Sequence, residues 1–168
     1  MNTTKKIIIA ASIAVFIILA ILFISFALPF FTASKILKSK ITDLERITKS
    51  ETLQISDPHN SDGSLIPTTV DVFLDGDKAN TIASELIPIM KNTKYSGKKT
   101  STRGFWDISI SLRFEDKIST IYICENEIYV TDGASKYLFK PTNAIEYSLF
   151  YKKISNMIYE EANSTHNS

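Results

Sequence analysis

Cysteine and histidine are scarce in this chain, and their scarcity removes several classes of chemistry. The 168 residues include one cysteine, Cys124, and two histidines. A single cysteine cannot form an internal disulfide, and one thiol with two scattered imidazoles does not make a tetrahedral zinc set. His59 falls in a predicted loop and His166 in the tail, so neither is expected beside Cys124 as a base. We therefore predict no metal, no cofactor and no thiol catalysis.

A surplus of one charge is also missing. The chain has 19 Lys and Arg against 18 Asp and Glu, a net charge of +1. Nucleic-acid binding through phosphate neutralisation needs a basic surplus, so we do not expect it. Asp71, Asp75 and Asp77 lack the glycine and the final glutamate of a calcium loop. Nothing resembles a Gly-rich phosphate cradle or a serine elbow, so we predict a non-enzyme without catalytic residues.

A long apolar run, by contrast, is present once. Residues 7–31 carry no charge, and as a helix rising about 1.5 Å per residue they exceed a hydrocarbon core of about 30 Å. We predict an uncleaved transmembrane anchor in the lipid bilayer, preceded by a basic head at 1–6. The alternative is a cleaved signal peptide, because Ser25, Phe26 and Ala27 have the spacing of a cleavage site, but signal h-regions span only about 7 to 15 residues.

Two signals disagree on the orientation of this anchor. Lys5 and Lys6 favour a cytoplasmic N-terminus, whereas the basic residues that follow the span favour the reverse. We give more weight to the short basic head before a long apolar run, which is typical of a signal-anchor. The sequence thus predicts a single-pass protein of the cell membrane with its C-terminal domain outside.

Residues 32–50 have the pattern of an amphipathic helix. Apolar side chains recur at steps of three and four residues, which predicts a helical stalk continuing the anchor. They are Ile36, Leu37, Ile41, Leu44 and Ile47. Pro29 is expected to kink the join. The sequence leaves open whether this stripe packs on a second copy of the chain, on its own domain or on lipid headgroups.

Residues 51–162 combine strand and helix patterns. Alternation from Trp106 to Phe114, followed by shorter strand candidates and tight turns, predicts an antiparallel meander. Two further helices, beginning near Asp77 and Asn143, each have one apolar stripe. We predict a two-layer α+β domain in which two helices cover the apolar face of the sheet, followed by a disordered tail at 163–168.

One predicted loop, from Asn92 to Gly104, has a local charge asymmetry. Basic residues crowd there without an acid and beside aromatic side chains, which favours contact with an anionic partner such as headgroups, a wall polymer or an acidic protein face. A solvated loop is the alternative. The candidate binding residues are Lys91, Lys94, Tyr95, Lys98, Lys99 and Arg103.

The lysine-preceded anchor and the run TTVDVFLDGDKANTIASELIPIMKNTKYSGKK, with the later WDISISLRFEDKISTIYICENEIYV, resemble small membrane-attached extracytoplasmic proteins of Gram-positive bacteria. The resemblance covers about residues 66–140 and is one of pattern, implying a strand, a helix and a meander. We predict that the domain is an interaction or accessory module with an unidentified protein or wall-polymer partner. The alternative is a membrane-tethered hydrolase of cell-wall material, which would act through carboxylates.

Overall fold

A computed structural model of the chain describes residues 3–47, 53–59, 65–99, 108–114, 117–133 and 135–166. The N-terminal part is one long helix with three sections: α1 (Thr3–Leu22), a π-helix (Phe23–Ala27) and α2 (Leu28–Glu45). Within the described residues, Ile7–Glu45 is the one helix long and apolar enough to cross a membrane. The structure therefore agrees with a single membrane-spanning segment near the N-terminus.

The π-helix lies directly before Pro29. The Leu28 amide donates to the Phe23 carbonyl five residues earlier, a pattern that accommodates one extra residue in the turn. Pro29 stands in the first turn of α2 and has no amide hydrogen to complete an α-helical bond. The disturbance that the sequence predicts at this join thus takes the form of a local π-helix, and the helix continues through it.

The domain is built on a seven-stranded antiparallel sheet. The strands are β1 (Leu53–His59), β2 (Leu65–Leu74), β3 (Thr93–Lys99), β4 (Ile108–Arg113), β5 (Ile118–Ile123), β6 (Ile128–Asp132) and β7 (Ser135–Pro141). Their order in the sheet is β2-β1-β4-β5-β6-β7-β3. The four consecutive strands β4 to β7 form the predicted meander, and β2 and β3 are the two edges. His59, which was predicted in a loop, instead ends β1, and the connection to Leu65 at the start of β2 is short.

Helices cover one face of this sheet. Besides α2, they are α3 (Gly76–Lys91), which carries the chain from one edge strand to the other, and α4 (Ala144–His166). The two-layer α+β fold is confirmed, with three helices in the second layer and not the predicted two. Ile41 and Leu44 of α2 belong to the main hydrophobic core, so the C-terminal half of the predicted stalk packs on its own domain.

Local sequence features lie at the start of α4 and near the end of α3. The Asn143 carboxamide oxygen accepts from the Glu146 amide at 3.2 Å, and its nitrogen donates to the Glu146 carboxylate at 3.0 Å. These bonds cap the N-terminus of α4, close to the start predicted near Asn143. Pro88 lies inside α3, which still continues to Lys91. The backbone of α4 is helical to His166, so the helix extends into the segment predicted as a tail.

Candidate functional site

The basic segment is an edge strand over most of its length, so the prediction of a loop from Asn92 to Gly104 is wrong for residues 93–99. β3 (Thr93–Lys99) pairs with β7 along the outer border of the sheet. Ser96 has no partner between the Tyr95–Phe139 and Gly97–Leu138 pairs, which is a β-bulge. The strand brings Lys94, Tyr95, Lys98 and Lys99 together, and Lys91 ends the preceding helix. Arg103 lies outside the described residues.

Lysines stand opposite lysines across the two strands. Lys94 pairs with Lys140 and Lys99 pairs with Lys136 across β3 and β7. Like charges directly opposite one another on neighbouring strands destabilise a sheet, so the fold gains nothing from this arrangement. We call the five lysines of these two strands the basic edge; they are Lys94, Lys98, Lys99, Lys136 and Lys140. The two lysines of β7 were missed by the sequence analysis, because they join the group only through strand pairing.

Three contacts involve lysines of the basic edge. Lys99 lies 3.9 Å from the Glu127 carboxylate, a distance at the limit of an ion pair. The ammonium groups of Lys98 and Lys136 stand over the rings of Tyr137 and Tyr129, at 5.7 Å and 4.8 Å from the centroids. Cation–π contacts of this kind hold a lysine in place without neutralising it. The edge therefore keeps most of its positive charge.

The long helix leaves the domain past this same edge. The ring of Phe30, at the end of the apolar run, lies 5.9 Å from that of Tyr95 on β3. Farther along α2, Ala33 packs in a small cluster with residues of β6 and β7, and Asp43 hydrogen-bonds to a residue of β5. Because α2 crosses the strands from β3 inward, the helix before Phe30 projects beyond β3. The basic edge is thus the side of the sheet nearest the apolar helix.

A cleft of about 550 Å³ lies between α2 and β3. Its floor is apolar and partly aromatic, and its rim has hydroxyl groups and lysines. The apolar lining is Phe30, Leu37, Ile41, Met90, Tyr95 and Phe139, and the polar lining is Ser34, Lys38, Lys91, Thr93 and Lys94. No carboxylate appears among the described residues that line it.

Some polar groups of the cleft already form a hydrogen bond or ion pair within the protein, and others do not. Lys91 forms an ion pair with Glu45 at 2.7 Å, and the Thr93 hydroxyl donates to the Met90 carbonyl at 3.0 Å. In the described part of the chain, Lys38 and Lys94 have no carboxylate partner, and the hydroxyls of Ser34 and Tyr95 have no hydrogen-bond partner. Burial raises the pKa of Tyr95, with a smaller contribution from Tyr137, so this phenol stays protonated and can donate.

The charged groups around Asp43 on α2, by contrast, bond to one another inside the protein. The Asp43 side chain is buried, its two oxygens accepting from the Lys117 ammonium at 2.6 Å and from the Ser119 hydroxyl at 2.7 Å. Lys40 donates to the same hydroxyl at 3.1 Å. Burial alone would raise the pKa of Asp43, but the bonds from Lys117 and Ser119 outweigh it and the pKa is lowered. We call these four residues the Asp43 network; they tie α2 to the start of β5.

Among the described residues, the other side chains that could take part in catalysis or metal binding do not come together in one site. Cys124 is half-buried beside the turn at Glu125 and Asn126, and its amide donates to the Glu127 carbonyl at 2.9 Å. The Tyr147 hydroxyl lies against the carbonyls of the same turn. Across the described ranges, no group of three or more His, Cys, Asp or Glu side chains is arranged to hold a metal ion.

Comparison with family models, with curated proteins and with solved structures finds no match to this chain.

Proposed function

We propose that this chain is a single-pass membrane protein whose α+β domain is a non-enzymatic interaction module, held with its basic edge toward anionic headgroups. The observation that carries the proposal is the position of the edge: the Phe30 ring at the end of the apolar helix lies against Tyr95, in the middle of β3. A membrane around the helix would therefore border the strand that bears Lys94, Lys98 and Lys99.

The energetics of the basic edge support a binding role. Cross-strand pairs of like charge each lower the stability of a sheet by a few tenths of a kcal/mol, and the edge contains two of them. Lysines near an anionic membrane surface each contribute about 1 kcal/mol of attraction. The cost to the fold is therefore smaller than the gain at the membrane. Lysines also protect an edge strand from pairing with another chain, and the experiment below separates the two roles.

The test measures how accessible single lysines are in the membrane. The full-length protein is placed in nanodiscs of phosphatidylcholine alone or of equal parts phosphatidylcholine and phosphatidylglycerol, and acetylation of each amine is followed by mass spectrometry. We expect Lys94, Lys98 and Lys99 to react more slowly in the anionic discs, and salt to restore their reactivity because it screens charge over about 10 Å. Lys78 and Lys152, exposed on α3 and α4, serve as reference amines.

Equal reactivity of the edge and reference lysines in both discs would contradict the proposal and leave edge protection as the role of the lysines. The outside location of the domain has its own test. A cysteine introduced for exposed Ser148 in a Cys124→Ser background is treated in intact cells with an impermeant maleimide. We expect labelling from outside; labelling only after lysis would place the domain in the cytoplasm.

A further inference from the structure

The cleft between α2 and β3 has a more specific use than general attraction to a charged surface. We propose that it binds one anionic phospholipid of the adjoining leaflet, with the headgroup phosphate at Lys38 and the first part of an acyl chain on the aromatic floor. This inference rests on the proposed function, because it requires the membrane to border β3.

The polar rim has the donors that a phosphodiester needs. A phosphate presents acceptor oxygens and a negative charge, and the lining offers one uncommitted ammonium group and two uncommitted hydroxyls, on Lys38, Ser34 and Tyr95. Lys94 also borders the cleft, but its side chain alternates with that of Tyr95 and leaves β3 on the other face of the sheet. Charge-assisted bonds to phosphate are about twice as strong as neutral ones. A zwitterionic or cationic ligand would find no carboxylate among the described lining residues, so the rim selects for net negative charge.

The floor suits the hydrocarbon that adjoins the headgroup. The rings of Phe30, Tyr95 and Phe139 form a chain in which neighbouring centroids are 5.9 Å apart, and Leu37 and Ile41 complete the apolar side. At about 550 Å³ the cleft is in the usual range of small-ligand sites, about 300 to 1,000 Å³. Phe30 is also where the apolar helix meets the cleft, so a lipid could enter sideways from the leaflet.

The experiment measures lipid retained by the full-length protein. Protein purified in mild detergent is mixed with phosphatidylglycerol or phosphatidylcholine and analysed by native mass spectrometry. We expect one phosphatidylglycerol to remain bound and phosphatidylcholine to be lost. In the Lys38→Gln variant, retention should fall about tenfold or more, because a bond to a charged group contributes substantially to affinity.

Matched controls separate the cleft from the surface. Lys98→Gln removes the same charge from the basic edge but not from the cleft lining and should retain the lipid. Ser34→Trp should block the cleft without changing charge, whereas Ser39→Trp, exposed on the same helix and outside the lining, should not. Far-ultraviolet circular dichroism and thermal unfolding confirm that each variant is folded.

Three outcomes would overturn the inference. Equal loss in both lysine variants would reduce the binding to surface attraction, and the proposed function would survive. Displacement of the lipid by glycerol phosphate would make the occupant a soluble phosphate ester. Absence of retained lipid in the unmodified protein would exclude the bound phospholipid, and the proposed function would fail with it only if the acetylation rates were also unchanged.

Discussion

Lys38 and Lys40 are two residues apart on α2 and have opposite surroundings. Lys40 belongs to the Asp43 network, where a buried carboxylate is bonded to Lys117 and Ser119 and the groups satisfy one another. Lys38 lines the cleft, where the described residues offer it no counter-charge. Charges that a protein neutralises internally hold its parts together, whereas charges left without partners beside a cavity are available to a ligand. The same helix therefore has a structural charge group and a candidate binding group.

The largest effect is expected when the Asp43 network is broken. Asp43→Ala leaves Lys117 and Lys40 beside a site without a counter-charge, which should lower the free energy of unfolding by about 3 kcal/mol, the lower end for a broken buried pair because Lys117 is partly exposed. Urea unfolding of the full-length protein in detergent, followed by circular dichroism, measures it. Asp132→Ala, at an exposed strand end, should change stability by less than about 0.5 kcal/mol. Similar losses in both variants would remove the distinction between the two groups.

The dependence of stability on pH sharpens the same comparison. The pKa of Asp43 is lowered from its ordinary 3.8, so its stabilising contribution is complete above that value and is lost as the pH falls through the folded-state pKa. The difference in unfolding free energy between the unmodified protein and Asp43→Asn should thus be constant from about pH 7 to about pH 5 and shrink below about pH 4. A difference that shrinks near neutral pH would show that Asp43 is not the ionised centre of the network.

A smaller effect, of opposite sign, is expected at the basic edge. Lys140→Glu converts the pair with Lys94 into one of opposite charge, which should stabilise the domain by about 0.5 kcal/mol. The same change should weaken the protection of Lys94 against acetylation in anionic nanodiscs. Lys152→Glu on α4 makes the same charge change far from the edge and should alter neither quantity. A Lys140→Glu variant that is less stable would mean that the lysine pair supports the fold.

The smallest effect on binding to the membrane and to lipid is expected at Cys124, which belongs to neither charge group. The Cys124 amide donates to the Glu127 carbonyl and its carbonyl accepts from the Tyr147 hydroxyl, and a serine preserves both. Cys124→Ser should cost at most about 1 kcal/mol of stability and leave acetylation rates and lipid retention unchanged. Loss of either readout in a folded variant would give the thiol a role that the structure does not assign to it.

The fold class could be predicted from the sequence, because the period of the hydrophobic pattern and the length of each segment indicate the type of element. The alternation that ends in Phe114 and the apolar stripe of α4 each match one type of element. β3 could not be predicted in the same way. Its sequence TKYSGKK has no alternating apolar residues, and the bulge at Ser96 shifts the side-chain parity within the strand. It forms a strand because β7 offers a ladder, which is information from a distant part of the chain.

The candidate site was predicted in part. Lys94, Tyr95, Lys98 and Lys99 were identified from local charge, and the structure places them on one strand. The other wall of the cleft is on α2, some 50 residues earlier in the chain, and only tertiary packing makes Ser34 and Lys38 part of it. Asp43 likewise resembles a solvated residue of an amphipathic helix, because its partners are 74 and 76 residues away.

The π-helix at Phe23–Ala27 affects the direction in which the domain faces around the axis of the long helix. Each residue of an α-helix advances about 100° around the axis, so one residue accommodated or removed there changes the azimuth of everything that follows by about that angle. The domain packs on α2, beyond the π-helix, and turns with it as one body. The direction in which the basic edge faces around the helix axis therefore depends on a turn of helix inside the apolar run.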